Sequence, residues 1–128
     1  MRKKILSVFS VLVCVVMLVG CGKKTLEKKV SSSELKQMNE QAQAMIANNS
    51  EFKDCTIEIN GNDLVYKYWF SFELSDAQVS ALEKSASSLE SQAKTLKSQL
   101  EKNYNLSNIT VSYIYYDVND KEVFKAGV

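Results

Sequence analysis

The residues best equipped for covalent chemistry are three cysteines, Cys14, Cys21 and Cys55. A thiolate is the reactive form, and it needs a base or a cation beside it. The chain has no histidine, so the commonest activating base and the commonest neutral metal ligand are both missing. Serines are plentiful, but a serine nucleophile also needs a base, and no motif marks a serine–lysine pair. Glycoside hydrolysis requires two carboxyl groups facing one another across a cleft. Glu58, Glu73, Asp117 and Glu122 are scattered over predicted strands and turns, and nothing marks a pair. Two oxygen-rich segments, Asn60–Asp63 and Asp117–Glu122, could attract a hard cation. Neither has the Asp-x-Asx-x-Asx-Gly run of a calcium loop, and turn chemistry already accounts for their residues. The expectation is a protein with no catalytic site, no metal and no cofactor.

Charge narrows the partners. Setting aside Arg2, Lys3 and Lys4, the only charged residues of the first twenty, leaves 13 basic against 15 acidic residues, a formal charge of −2. A nucleic-acid binder needs a basic face to displace phosphate counterions, so none is expected here.

The amino terminus reads as an address. Arg2-Lys3-Lys4 precedes an apolar run from Ile5 to Val19 interrupted only by Ser7 and Ser10. That run is shorter than the roughly 20 residues that span a bilayer. It has the length and flanks of a secretory signal peptide. The run closes on Leu18-Val19-Gly20-Cys21, which resembles the lipobox of bacterial lipoproteins. The resemblance implies that a signal peptidase recognises Leu18, Val19 and Gly20 and removes residues 1–20. It further implies a diacylglyceryl group on the Cys21 thiol, which holds the exported protein on the outer face of the cell membrane. Two acyl chains anchor stably where one would not. The competing reading is an uncleaved membrane helix with Cys21 an ordinary thiol. Residues 21–30 then form a tether in which Lys23, Lys24, Lys28 and Lys29 face a single acid, Glu27. Near anionic headgroups each lysine would contribute about 1 kcal/mol. With Cys14 removed and Cys21 lipidated, Cys55 has no partner for an intramolecular disulfide and reads as a small packed residue just before a strand.

Residues 31–128 read as one α+β domain. Ser31 and Glu34 have capping-box spacing, and Val30 and Leu35 that of a hydrophobic staple. Leu35, Met38, Ala42, Met45 and Ile46 then make one apolar stripe. Ile57 and Ile59 alternate with polar residues, and Asn60–Asp63 turns into a strand carrying Leu64, Tyr66, Tyr68, Phe70, Phe72 and Leu74 on one face. The plan repeats. Ser75 and Gln78 cap a single long helix striped by Val79, Leu82, Ala86, Leu89, Ala93, Leu96 and Leu100. Ile109, Val111, Tyr113 and Tyr115 mark a third strand, and Glu122–Ala126 a fourth. The predicted architecture is α-β-β-α-β-β, a four-stranded antiparallel sheet with two helices packed on one face.

This pattern of lipobox, lysine-bearing tether, amphipathic helix, aromatic hairpin, long helix and closing hairpin resembles a group of small lipoproteins of Gram-positive, Firmicutes-type bacteria. They have no assigned activity, so the resemblance transfers no catalytic residue. The α-β-β repeat also looks like small secreted inhibitor and propeptide-like modules, a likeness of fold alone.

If Tyr66, Tyr68 and Phe70 face the helices, then Val65, Lys67 and Trp69 face away, as do Ile114 and Tyr116 on the third strand. These five are the candidate binding face, since an apolar patch with Trp and Tyr is a common interface anchor. The expected function is a lipid-anchored, extracytoplasmic, non-enzymatic module whose partner is a protein or a cell-envelope component. Two other readings stand beside it. One is a carrier holding a small apolar ligand between sheet and helices, with Tyr66, Tyr68 and Tyr113 as polar tips. The other is a structural spacer or homodimer joined through the long helix.

Overall fold

The computed structural model describes residues 25–128. The expected signal peptide, Leu18–Cys21, Lys23 and Lys24 lie outside the described residues. The described chain begins with one helical turn, α1 (Leu26–Lys29), inside the segment read as tether. Leu26 is 1% exposed, and Lys29, one turn later on the same side, is buried with it. Of the two tether lysines among the described residues, Lys28 keeps the exposure expected of a headgroup-facing lysine and Lys29 does not. Hydrogen bonds clamp α1 to the turn at Gly61–Asn62. The Leu26 N–H donates to Asn62 Oδ1 (3.0 Å), the Glu27 N–H to the Gly61 carbonyl (2.8 Å), and the Gly61 N–H to Glu27 Oε1 (2.7 Å).

The second helix, α2 (Ser32–Ile46), starts at the expected capping box. The Glu34 N–H donates to Ser31 Oγ and the Ser31 N–H to Glu34 Oε1. Its stripe buries Met38, Ala42 and Ile46, whereas Met45 points outward at 36% exposure. Strands β1 (Phe52–Asn60) and β2 (Asp63–Phe70) form the predicted hairpin, and Gly61 takes the positive φ (61°) of the turn. Cys55 lies inside β1, not before it.

The expected single long helix is two, α3 (Asp76–Lys84) and α4 (Ala86–Tyr104). The break is at buried Ser85, whose hydroxyl and N–H both bond the Leu82 carbonyl. A serine side chain that competes for a helix carbonyl bends the helix there. The break re-aims the stripe, so that α3 buries Leu82 while α4 buries Leu89, Ala93, Leu96, Leu100 and Tyr104. Asn105, in the left-handed region, ends α4. Lys97 Nζ then donates to Glu101 Oε2 (2.9 Å) and to the Ile109 carbonyl, tying the helix to the start of β3 (Thr110–Tyr116). β4 (Glu122–Gly127) completes the sheet.

Strand order is β1-β2-β3-β4, and the central pair β2–β3 is parallel. The expected antiparallel sheet is therefore corrected to a mixed one, with an antiparallel hairpin at each edge. The connection explains it. A hairpin reverses the chain, but α4, at about 1.5 Å per residue, carries it roughly the length of the sheet back to the end where β2 began. A strand entered that way runs parallel to its neighbour. The expected pair of helices becomes four among the described residues, with α2 against β1, α3 against β4 and α4 against β3 and β4.

Gly127 closes the β4 edge. Its φ of 158° and its approach to β3 leave no room for a side chain, because a Cβ there would collide with the Val111 carbonyl oxygen and lie 2.8 Å from Ser112 Cα. Gly127→Ala is expected to destabilise the domain by about 1–3 kcal/mol, read as a lowered urea midpoint.

Candidate functional site

The parallel register places the candidate face. Val65 lies opposite Ser112, Lys67 opposite Ile114, and Trp69 opposite Tyr116. Along β1, β2 and β3 buried residues alternate with half-buried ones, so helices cover one face of the sheet and leave the other to solvent. All five candidate residues are on that outer face, and all are half-buried. The cause of their partial burial is cross-strand packing. The Trp69 and Tyr116 rings stack at 4.9 Å between centroids and 14° between planes, each covering one face of the other.

Polar residues outside the predicted set complete the site. Asp54 on β1 is the cross-strand neighbour of Trp69, and its Oδ1 accepts from Gln43 Nε2 on α2 (2.6 Å) and from the Cys55 N–H (2.8 Å); Glu122 on β4 is the cross-strand neighbour of Tyr116. Lys67 Nζ pairs with Glu58 at 3.1 Å, and Lys125 lies opposite Ile114. The β1 alternation is visible in the sequence, but which strand lies beside Trp69 is not. Among the described residues the arrangement is an aromatic surface with charged neighbours.

The remaining chemistry-bearing groups are committed to structure. Asp117 is buried, and its Oδ1 accepts the N–H groups of Asn119 (2.8 Å) and Lys121 (3.1 Å), shaping the β3–β4 turn. Lys53 Nζ reaches the Val118 carbonyl (2.9 Å), and Asn119 Nδ2 reaches Glu73 Oε2 (2.6 Å). Asp63 and Thr110 bond to each other across β2 and β3. On the inner face Tyr66 packs against Tyr113 at 5.3 Å and Tyr68 against Tyr115 at 5.0 Å, all four rings being fully buried.

Burial pushes the Cys55 thiol up from its ordinary 9.0 to about 12, with the Asp54 carboxylate adding to the effect. Burial likewise raises Tyr113 to about 12, and Tyr68 and Tyr115 well above 10.0. Raised values mean that the folded state keeps protons the unfolded state would release. The linked stability is complete below about pH 9 and is lost as pH rises toward about 12. The melting temperature is therefore expected to hold from neutrality to about pH 9 and to fall above it. In a C14S/C21S chain Cys55 should ignore an aromatic disulfide reagent near neutral pH and react only once urea unfolds the protein. Rapid native reaction would show the thiol to be accessible.

These features define a small mixed α/β domain with one open aromatic sheet face. The chain belongs to the family described as Domain of unknown function (DUF4854), which matches residues 26–127. The match takes in α1. No curated protein and no solved structure matches the chain significantly.

Proposed function

We propose that the chain is a lipid-anchored, extracytoplasmic, non-enzymatic binding module that engages its partner through Val65, Lys67, Trp69, Ile114 and Tyr116. The stacked Trp69–Tyr116 pair on the uncovered face of the sheet carries this reading. The anchor half rests on the basic start, the apolar run and Leu18-Val19-Gly20-Cys21. The resemblance to small Gram-positive lipoproteins belongs to the same proposal. The interior favours surface binding over a carrier. Tyr66, Tyr68, Tyr113 and Tyr115 fill the space between sheet and helices, and the cavity beside α1 measures about 10 Å³, room for no more than one water. The apolar stripe of α4 is spent on the domain's own core, which disfavours pairing of two copies through that helix.

Two variants test the proposal in a lipoprotein-processing host. Cys21→Ser should move the protein from the membrane to the soluble fraction and remove its lipid mass. A photo-crosslinker at position 114 should give a discrete adduct that Trp69→Ala/Tyr116→Ala abolishes while the melting temperature stays close to the parent's. A membrane-bound Cys21→Ser protein would refute the anchor, and an unchanged adduct would refute the face.

A further inference from the structure

We infer that α1 is a fixed joint between the membrane anchor and the domain, and that it turns the Trp69–Tyr116 pair away from the bilayer, so that the lipid surface is not what this face binds. The inference rests on the membrane-anchored reading and narrows its partner.

Three observations place the joint. Leu26 is seated among Met38, Ile59, Leu64, Leu100 and Tyr104, on the helix-covered side of the sheet. Hydrogen bonds from Leu26, Glu27 and Gly61 fasten α1 to the β1–β2 turn. Between Cys21 and Leu26 the chain can reach no more than about 18 Å even when fully extended. The turn end of the sheet is thereby the end nearest the anchor.

The aromatic pair is displaced from that end in two directions. β2 and β3 both run away from the turn, and Trp69 and Tyr116 each lie six residues along, about 20 Å at the usual strand rise. They also project from the face opposite to α1.

The test uses the full chain, purified from a lipid-processing host and reconstituted into phosphatidylcholine–phosphatidylglycerol vesicles carrying a headgroup nitroxide lipid. Trp69, the only tryptophan, should keep its emission. The Trp69→Phe/Asn60→Trp variant, reporting from the turn end, should lose most of its own. Trypsin reads the joint without any membrane: Lys28 and Lys29 should be protected in the parent and cut rapidly in Leu26→Asp, which places a charge in the core and releases α1. If Leu26→Asp fails to fold, Glu27→Ala/Asn62→Ala removes both side-chain bonds of the clamp, leaving the backbone bond from Glu27 to Gly61 and the core intact. Quenching of Trp69 as strong as that of the Asn60 reporter, or trypsin cutting at Lys28 and Lys29 in the parent, overturns the inference. A chain without lipid on Cys21 that fails to float with vesicles refutes the anchor reading and this orientation with it, while the trypsin result still reports whether α1 is docked.

Discussion

Tyr115→Ala is expected to cost about 3–5 kcal/mol, the usual loss for truncating a fully buried aromatic. Tyr115 is 0% exposed on a central strand, and its ring packs against Tyr68 (5.0 Å), Phe124 (5.8 Å) and Phe70 (6.0 Å). A small domain has about 5–15 kcal/mol in total, so this variant should lose a large share of its stability and unfold at a much lower urea concentration. Tyr116, the next residue, faces the other way and shares one stacked contact with Trp69. Its truncation should cost no more than about 1 kcal/mol, the scale of a cross-strand pair. Urea unfolding followed by far-ultraviolet circular dichroism measures both, and equal losses would mean that the two faces are not inner and outer. Tyr113→Phe separates ring from hydroxyl at a third position. The Tyr113 hydroxyl is buried with no hydrogen-bond partner among the described residues, so its removal should be neutral or stabilising by about 1 kcal/mol.

Asn39→Leu should destabilise the domain by about 1–3 kcal/mol and promote self-association, for a reason that lies at the sheet edge. β1 is an edge strand. Asn39 on α2 acts as a substitute neighbour for it. Asn39 Oδ1 accepts the Ile57 N–H (2.8 Å) and Asn39 Nδ2 donates to the Ile57 carbonyl (3.0 Å). Two residues along the strand, Gln43 Nε2 donates to the Cys55 carbonyl. Leucine at position 39 keeps the helix but strips both bonds from Ile57, leaving backbone groups open to another chain's strand. Sedimentation velocity over a concentration series should show a monomer for the parent and larger species for the variant. A variant that stays monomeric and as stable as the parent would show that Asn39 is not what blocks this edge. The opposite edge strand, β4, carries exposed Lys125 at its centre, a charge that discourages pairing by another means.

Both capping boxes, the β1–β2 hairpin and the inward set Tyr66, Tyr68, Phe70, Val111, Tyr113 and Tyr115 are legible in the amino-acid sequence. The outer set Val65, Lys67, Trp69, Ile114 and Tyr116 follows from the same alternation. Each of these depends on residues within a few positions of one another, where caps, turns and strand period act. The break at Ser85 lies at the margin. A serine inside a helical stripe is common, and only the different surfaces offered to Leu82 and to Leu89 make the bend favourable.

The parallel β2–β3 pairing, the stacking of Trp69 on Tyr116 and the seating of α1 on the β1–β2 turn were decided only in the tertiary structure. Each joins residues dozens of positions apart, as in the bonds from Leu26 to Asn62 and from Asp63 to Thr110. No local pattern encodes such a contact. It depends on where α4 returns the chain, and that follows from which surfaces bury the most apolar area once every element is present. The amino-acid sequence alone determined which residues face inward and which outward. The assembled fold determined which outward residues stand together.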